Sequence, residues 1–441
     1  MPKLDRFGAL PLTPYAGNVD ILKLDSESTK YVIYESAASY PAAIIALQNG
    51  SNTEDHFNSI AAIAPTIGTV GVYYLRKTEL RSLAFLFVEG NLVDESDLIP
   101  EYVRHQIDST GPWDLISSLP HRKIDGVSLV AISVVHDVYG HWLLDILPRI
   151  WMAKLLTENL DAINIIIPHG TPQFAITILR DFFGINKSVY HSFAEENLQI
   201  EHALIPSLLH NNHYFHPAMN DFVAYLLNHP LVTEARKKSK HNSKLIYVTR
   251  QGFRQTSRSY ARTIANEDEV FQLMDELGVQ IVSPESMKWQ DQILLFASAR
   301  VIIGESGSGL HNTLFSTAGT AVVCLNPVNQ VQSSIAGLRR HTLINQCSPT
   351  EKTNSTLLYR VEIERLRMAA LAAIHATGET FDRPTRMKKS ASNQRRDYNP
   401  EGTALRLPSS DTDSSWIHKI LTSARQTAML AKRSIKALFK E

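Results

Sequence analysis

Apolar and polar positions in the middle of the chain follow two alternating patterns. Between residues 127 and 327, short unbroken apolar runs are followed by segments in which apolar residues recur every three or four positions. Unbroken apolar runs are typical of strands buried on both faces of a parallel sheet. The pattern therefore predicts an α/β protein in which helices join parallel strands. Predicted strands cover 127–135, 163–168, 198–206, 244–250, 279–284, 301–303 and 321–325, and predicted helices cover 136–156, 174–185, 216–230, 266–278, 291–299, 310–315 and 361–376.

The regions on either side of this core are organised differently. Residues 1 to about 125 read as strand and loop, with strands at Lys30–Tyr34, Gly71–Leu75 and Leu83–Val88. The most polar interruption, RKKSKHNSK at 236–244, separates two α/β series, so we predict domains at 1–235 and 244–378. Two such domains that meet at the carboxyl ends of their strands would form a ligand-binding cleft.

The end of the chain has two further segments. Residues 379–413 are polar and predict a disordered linker. In 414–441, apolar residues form one stripe at helical spacing and lysines and arginines cover the rest, which predicts a basic amphipathic helix. This helix would lie on an anionic membrane surface, pair with a second copy, or dock on the protein's own surface.

Charge and cysteine content narrow the classes of function. Lys+Arg and Asp+Glu number 44 each in 441 residues, so the whole chain has no electrostatic bias toward nucleic acid, and we predict no nucleic-acid partner. Two cysteines form neither a disulfide framework nor a zinc site. We see neither a signal peptide nor an apolar run of membrane-spanning length, and expect a cytoplasmic protein.

A glycine-rich turn follows the predicted strand at 301–303. Gly304, Gly307, Ser308 and Gly309 precede a predicted helix that starts at Leu310. Glycines let backbone N–H groups approach a ligand, and the positive end of a helix dipole would point to the same place. We expect an anion there, such as a nucleotide diphosphate, although turns without a ligand also use glycine.

Two sets of polar residues lie at predicted strand ends and could act with this turn. Arginines at positions 250, 254, 258 and 262 suit the oxygens of a diphosphate, or else form a solvated basic loop. His136, Asp137, His141 and Asp145 offer a proton acceptor, with His141 as the first choice and Asp137 or Asp145 as substitutes. A histidine in such a position is otherwise a hydrogen-bonded structural residue.

Two segments of the sequence resemble glycosyltransferase family 61. The first is HDVYGHWLLDILPRI at 136–150, and the second runs from IYVTRQGFR to GESGSGLHNTLFS, so that the resemblance covers about residues 127–327. The family includes plant xylan transferases, animal protein O-linked N-acetylglucosaminyltransferases and bacterial proteins of capsular polysaccharide synthesis. The resemblance implies a GT-B-like fold with two Rossmann-type domains and a cleft between them, here followed by a C-terminal helical tail. It also implies inverting transfer from a nucleotide sugar without an essential metal.

Motif positions of the family carry over onto this chain. Taken together with the residue patterns above, the resemblance implies that His141 serves as the base, with Asp137 or Asp145 as substitutes, and that backbone N–H groups of residues 306–309 bind the departing diphosphate of the donor. The implied donor-binding residues are Arg250, Arg254, Arg262, Asn266, Glu267, Gly304, Glu305, Ser306, Gly307, Ser308, Gly309, His311 and Asn312. The chain departs from the family pattern where Ser306 replaces a histidine, while His311 stands just before Asn312.

The resemblance therefore implies a hexosyl- or pentosyltransferase that needs no cofactor besides its nucleotide-sugar donor. Its acceptor would be a glycan or lipid-linked glycan in bacterial cell-surface or capsular polysaccharide synthesis, at the inner face of the membrane. Residues 1–235 would bind the acceptor and residues 244–378 the donor. The departure at Ser306 keeps one alternative open, a catalytically inactive subunit that binds a glycan or a nucleotide sugar.

Overall fold

The structure is a computed structural model, and its sheets place most of the chain in an α/β arrangement. It describes residues 3–4, 12–14, 28–41, 44–47, 64–81, 85–93, 96–100, 117–131, 136–157, 160–186, 189–192, 195–212, 214–238, 243–252, 262–326, 330–346, 348, 350–353 and 356–379. Apart from residue 379, the predicted linker at 379–413 and the predicted helix at 414–441 lie outside these residues.

Strands occur throughout the described chain. Their bounds are β1 Lys3–Leu4, β2 Leu12–Pro14, β3 Thr29–Tyr34, β4 Ala37–Ala38, β5 Ile44–Leu47, β6 Thr66–Ile67, β7 Val70–Arg81, β8 Phe85–Val88, β9 Asn91–Val93, β10 His121–Val130, β11 Asn164–Pro168, β12 Val189–Ser192, β13 Asn197–Pro206, β14 His210–Asn211, β15 Tyr214–Phe215, β16 Leu245–Val248, β17 Arg262–Ile264, β18 Gln280–Val282, β19 Val301–Glu305, β20 Ala321–Leu325, β21 Thr342–Gln346, β22 Thr350–Thr353 and β23 Thr356–Tyr359.

Helices connect these strands. They are α1 Tyr139–His141, α2 Leu147–Leu156, α3 Gln173–Phe183, α4 Met219–Leu227, α5 Pro230–Lys238, α6 Glu267–Glu276, α7 Trp289–Ser298, α8 Gln330–Arg339 and α9 Ile363–Thr377. Short 3₁₀ helices form at Leu160–Ala162, Pro284–Ser286 and Leu310–Phe315, and a π-helical turn at Trp142–Ile146 joins α1 to α2. Gly184, at φ 71°, ends α3 in the left-handed conformation that glycine adopts without strain.

The first sheet is mixed. Its main path runs β1-β9-β8-β7-β13-β10-β11-β12, with β2 and β3 attached beside β7. Strands β13, β10, β11 and β12 are parallel, whereas β7 pairs antiparallel with β13. From β10 the chain moves to β11 on one side and later returns as β13 on the other. The strand order therefore reverses between β10 and β13, and α/β sheets bind ligands at such a reversal.

The second sheet is parallel, with the order β18-β16-β19-β20-β21-β5. Its first five strands follow the flavodoxin-like order 2-1-3-4-5, whose switch point lies between the first and third strands. Here those strands are β16 and β19, which lead into Arg250 and into the glycine turn respectively. The sixth strand, β5, comes from the region that the sequence assigned to the first domain, and its apolar tetrapeptide gave no sign of this pairing.

One apolar cluster fills the space between the two sheets. Both sheets contribute alternate residues to it, such as Leu129, Ile165 and Leu204 from the first sheet and Ile246, Ile302 and Val322 from the second. The helices that contribute to the same cluster are α2, α3, α4, α5, α7 and α8. Helices α6 and α9 cover the opposite face of the second sheet. Residues from both halves of the chain belong to this cluster. The division into domains at 1–235 and 244–378, with a cleft between them, stays a prediction. The helices between the sheets are apolar on more than one side, so packing joins the halves directly.

Two predicted elements differ in detail. The segment after the glycine turn is a six-residue 3₁₀ helix rather than an α-helix. Its polar residues are drawn into side-chain bonds, such as the one that Thr313 Oγ1 accepts from Gln332 Nε2 at 2.7 Å. The helix predicted at 291–299 begins at Trp289, so Asp291 lies in its first turn.

Candidate active site

The glycine turn lies at the switch point of the second sheet. Val248 of β16 pairs with Gly304 of β19, so the chain beyond both strands leaves the same edge of the sheet side by side. A Cβ added at Gly304 would lie 3.1 Å from the Cβ and the carbonyl oxygen of Val248, so this position needs glycine for close packing. Gly307 follows at φ 147°, a conformation that other residues rarely adopt.

Some backbone N–H groups of this turn are available to a ligand. Ser306 N–H donates to the carbonyl of Leu325 at 2.8 Å, so the expected role of this group in binding an anion is lost to a structural bond. The N–H groups of Gly307, Ser308 and Gly309 have no hydrogen-bond partner among the described residues. Ser306 Oγ is buried and has no partner in the same part of the chain. Three consecutive amides and a hydroxyl are the kind of donors that an anion accepts.

The predicted arginines follow β16 in the sequence. Arg250 lies two residues beyond the end of β16, and Ser306 lies one residue beyond the end of β19. The Arg250 side chain is half-buried. Arg254 and Arg258 lie outside the described residues. Arg262 belongs to β17, which pairs with β23 in a separate small sheet, and its side chain is likewise outside the description. Of the predicted arginines, Arg250 alone has a described side chain, and its backbone leaves the same edge of the sheet as the turn.

The switch point of the first sheet holds a buried carboxylate between two imidazoles. His141 Nδ1 lies 2.7 Å from Asp145 Oδ2, and His210 Nε2 lies 2.8 Å from Asp145 Oδ1. The Asp145 side chain is 7% exposed and that of His141 is 31% exposed. The π-helical turn brings Asp145 beneath His141, and such turns are frequent at functional sites. The arrangement is that of a histidine base oriented by a buried carboxylate.

Hydrogen bonds keep this carboxylate charged. Burial alone would raise the pKa of Asp145, but the hydrogen bonds from His141 and His210 outweigh it and hold the pKa well below its usual range. An anionic Asp145 accepts the Nδ1 hydrogen of His141, which leaves the lone pair of the neutral ring on Nε2. Nε2 of His141 is therefore the atom of this group that can accept a proton.

The two switch points meet at Gly140. A Cβ added there would lie 2.9 Å from Ser308 Oγ and 3.0 Å from His311 Nδ1, so the backbone before His141 rests directly on the glycine turn and the 3₁₀ helix. The neighbouring Tyr139 hydroxyl donates to Asn312 Oδ1 at 2.6 Å and accepts from Trp289 Nε1 at 2.8 Å. The base of one sheet and the amides of the other therefore belong to one site.

The remaining predicted residues take different positions. Asp137 is exposed on the turn before α1, and Glu305 and His311 are buried at the glycine turn. Glu267 reaches the end of β16, where its Oε1 accepts from Thr249 Oγ1 at 3.4 Å. The Asn266 amide donates to the Val361 carbonyl and accepts from the Val361 N–H, both at 2.9 Å, so it secures the start of α6, and its role in donor binding stays a prediction.

His210 is the member of the site that sequence reasoning missed. It stands on β14, four residues beyond the end of β13. The sign that selected His136 and His141, a histidine just after a buried apolar strand, was present at His210 too. His136 itself contributes its backbone carbonyl, which accepts from Trp142 Nε1.

Among the described residues, no group of three His, Cys, Asp or Glu side chains has an arrangement that could hold a metal ion. In the same residues, every helix is too short or too polar to cross a membrane.

Comparison with known proteins gives one family. The chain has no match among curated proteins. A family model described as Glycosyltransferase 61 matches residues 139–323. This segment starts at Tyr139 and includes His141, Asp145, His210, Arg250 and the whole glycine turn. The part of the chain that carries the candidate active site is thus the part that matches Glycosyltransferase 61.

Proposed function

We propose that the protein is a glycosyltransferase that moves a sugar from a nucleotide sugar to a glycan acceptor. The observation that carries the proposal is the contact at Gly140, which joins a histidine–carboxylate pair to a turn with unused amide donors. The match of residues 139–323 to Glycosyltransferase 61 supports it independently. A GT-B-like arrangement, with the carboxyl edges of two sheets facing each other across the reacting groups, is part of the proposal.

The chemistry is a single displacement with inversion. His141 Nε2 takes the proton of an acceptor hydroxyl while that oxygen bonds to the anomeric carbon of the donor sugar. The bond from the anomeric carbon to the diphosphate oxygen breaks at the same time, and the nucleoside diphosphate leaves with its electron pair. Asp145 stabilises the imidazolium as it forms.

The departing diphosphate needs positive charge. Arg250 can form two parallel hydrogen bonds to phosphate oxygens, and the amides of Gly307, Ser308 and Gly309 add donors at the same edge of the sheet. These groups would take the part that a metal ion takes in other transferases. Arg254, Arg262, Glu305 and His311 complete the proposed donor site, and the hydroxyl of Ser306 stands where relatives have a histidine.

The proposed biological setting rests on the resemblance of the sequence to glycosyltransferase family 61, which includes bacterial proteins of capsular polysaccharide synthesis. We propose a role in cell-surface or capsular polysaccharide synthesis, with a glycan or lipid-linked glycan as acceptor. The basic helix predicted at 414–441 would hold the enzyme to the inner face of the membrane or pair two copies. Vesicle binding by the full chain, compared with a chain that ends at residue 379, tests the membrane role.

The proposed activity is tested with purified full-length protein and a panel of UDP-, GDP- and CMP-sugars. We expect nucleotide release from one donor class, and a loss of about 10²–10⁴-fold in His141→Ala, which removes the base. His375→Ala, an exposed change on α9, is the control and should retain full turnover. Tight donor binding without any turnover would refute an enzyme and support the non-catalytic binding subunit.

A further inference from the structure

A second histidine holds the carboxylate of the site. We propose that His210 is a positioning residue, which fixes Asp145 so that His141 presents Nε2 to the acceptor. The proposal rests on the proposed function for its catalytic consequence. It stands on the geometry of three side chains, in which each oxygen of Asp145 has its own imidazole partner, at 2.7 Å and 2.8 Å.

The chemistry of the partners fixes both tautomers. An ionised carboxylate accepts hydrogen bonds and donates none, so both facing ring nitrogens must carry hydrogen. His141 is therefore the Nδ1–H tautomer and His210 the Nε2–H tautomer. Only the Nδ1–H form of His141 has its lone pair on Nε2, and any change that lets Asp145 rotate or take up a proton loosens this choice.

Burial explains why one imidazole is insufficient. The side chains of Asp145 and His210 are 7% and 9% exposed, so water cannot replace a lost partner. A buried carboxylate oxygen without a donor is costly, and the usual escapes are protonation or rotation. The second bond keeps Asp145 charged and aimed at His141.

The fold holds His210 in place before any ligand binds. Beyond β13, Ser207 bonds to Gly71 through both its N–H and its hydroxyl, at 2.8 Å and 2.9 Å. Leu208 N–H donates to the carbonyl of Asp97 at 2.6 Å. The ring of Phe215 on β15 meets that of His210 edge-on, with centroids 5.9 Å apart. Strand, hairpin and aromatic contact together leave the imidazole little freedom.

The kinetic test compares two substitutions. His210→Phe removes the donor, and His210→Gln keeps an N–H at a similar reach. We expect His210→Phe to lower kcat by at least about tenfold and to leave KM nearly unchanged. The upper bound of this loss is the full contribution of a general base, about 10²–10⁴-fold. His210→Gln should recover most of kcat. The control His202→Gln changes a histidine of β13 that bonds to Tyr74, and should leave turnover unchanged.

A second measurement needs no activity. Nitrogen-15 NMR of histidine-labelled full-length protein reports which ring nitrogen carries hydrogen. We expect the Nδ1–H form at His141 and the Nε2–H form at His210 in the wild type, and mixed forms at His141 in His210→Phe.

The outcomes separate the two proposals. An Nδ1–H form at His210, an unchanged His141 in His210→Phe, or equal losses of kcat in the Phe and Gln variants would each overturn the positioning role. If no nucleotide sugar is turned over by the wild type, the proposed function fails, and the tautomers alone decide whether His210 positions His141.

Discussion

The hydrogen bonds of the Tyr139 hydroxyl predict that removing this group lowers the free energy of unfolding by a measurable amount. In Tyr139→Phe, Asn312 Oδ1 loses a donor at 2.6 Å and Trp289 Nε1 loses an acceptor at 2.8 Å. Asn312 is fully buried and Trp289 is 7% exposed, so neither group can turn to water. Each unsatisfied buried group costs about 1–3 kcal/mol, which gives about 2–6 kcal/mol for the pair. Burial raises the pKa of Tyr139 well above its usual value, so the hydroxyl stays protonated and the loss applies across ordinary pH.

Thermal unfolding followed by circular dichroism measures this cost. With an unfolding entropy of about 2.1 cal/mol/K per residue over a chain of this length, a loss of about 3 kcal/mol lowers Tm by about 3 °C. Tyr225→Phe is the matched control, because it removes one hydroxyl that bonds only within the first half, to the Phe182 carbonyl at 2.7 Å. We expect the control to lose about 1 kcal/mol. Equal Tm values for the two variants would refute the view that Tyr139 joins the halves.

Three further predictions concern the site and its surroundings. Arg250→Ala should lower sugar transfer by about 10²–10³-fold without changing Tm, because it removes charge from the leaving group, as steady-state kinetics would show. Gly140→Ala should displace the glycine turn, since its Cβ would lie 2.9 Å from Ser308 Oγ, and so raise the donor KM in the same assay. Burial lowers the pKa of His341 to about 3, so the unfolded chain takes up a proton that the folded state refuses. Stability should therefore fall as pH drops from about 6.5 to 3, by up to about 1.4 kcal/mol per pH unit, and His341→Gln should flatten this slope in urea titrations.

Each of these predictions has its own control. Arg250→Lys keeps the charge without the fork and should recover only part of the activity. An alanine at Gly68, where an added Cβ meets nothing within 4 Å, should be silent. Wild-type turnover in a folded Arg250→Ala variant would remove Arg250 from the site. If stability falls with decreasing pH equally steeply in His341→Gln and in the wild type, groups other than His341 cause the fall.

Most elements of the central region could be predicted from the sequence, because local patterns determine them. Buried strands such as β11 and β20 appear as apolar runs, and the glycine after α3 marks the end of that helix. Strand order could not be predicted, since it depends on which apolar faces pack together over long separations. The pairing of β5 with β21 and the core shared by the two halves are of this kind.

Some residues of the candidate site could likewise be selected from the sequence, and others could not. His141, Asp145 and Arg250 could be selected because each follows a buried strand or starts a helix. His210 could not be joined to them, since only the reversal of strand order beside β10 brings it to Asp145. The use of the Ser306 amide by Leu325 depends likewise on the neighbouring strand.

The position of β5 has a consequence for biosynthesis. Ile44 leaves the ribosome early, yet its backbone partner Leu343 is made near the end of the described part of the chain. Until then β5 has no partner strand, and its tetrapeptide must stay out of other pairings. A truncated product that starts at residue 244 would therefore expose an open sheet edge. Supplying residues 28–64 in trans offers a direct way to ask whether that edge alone makes such a fragment aggregate.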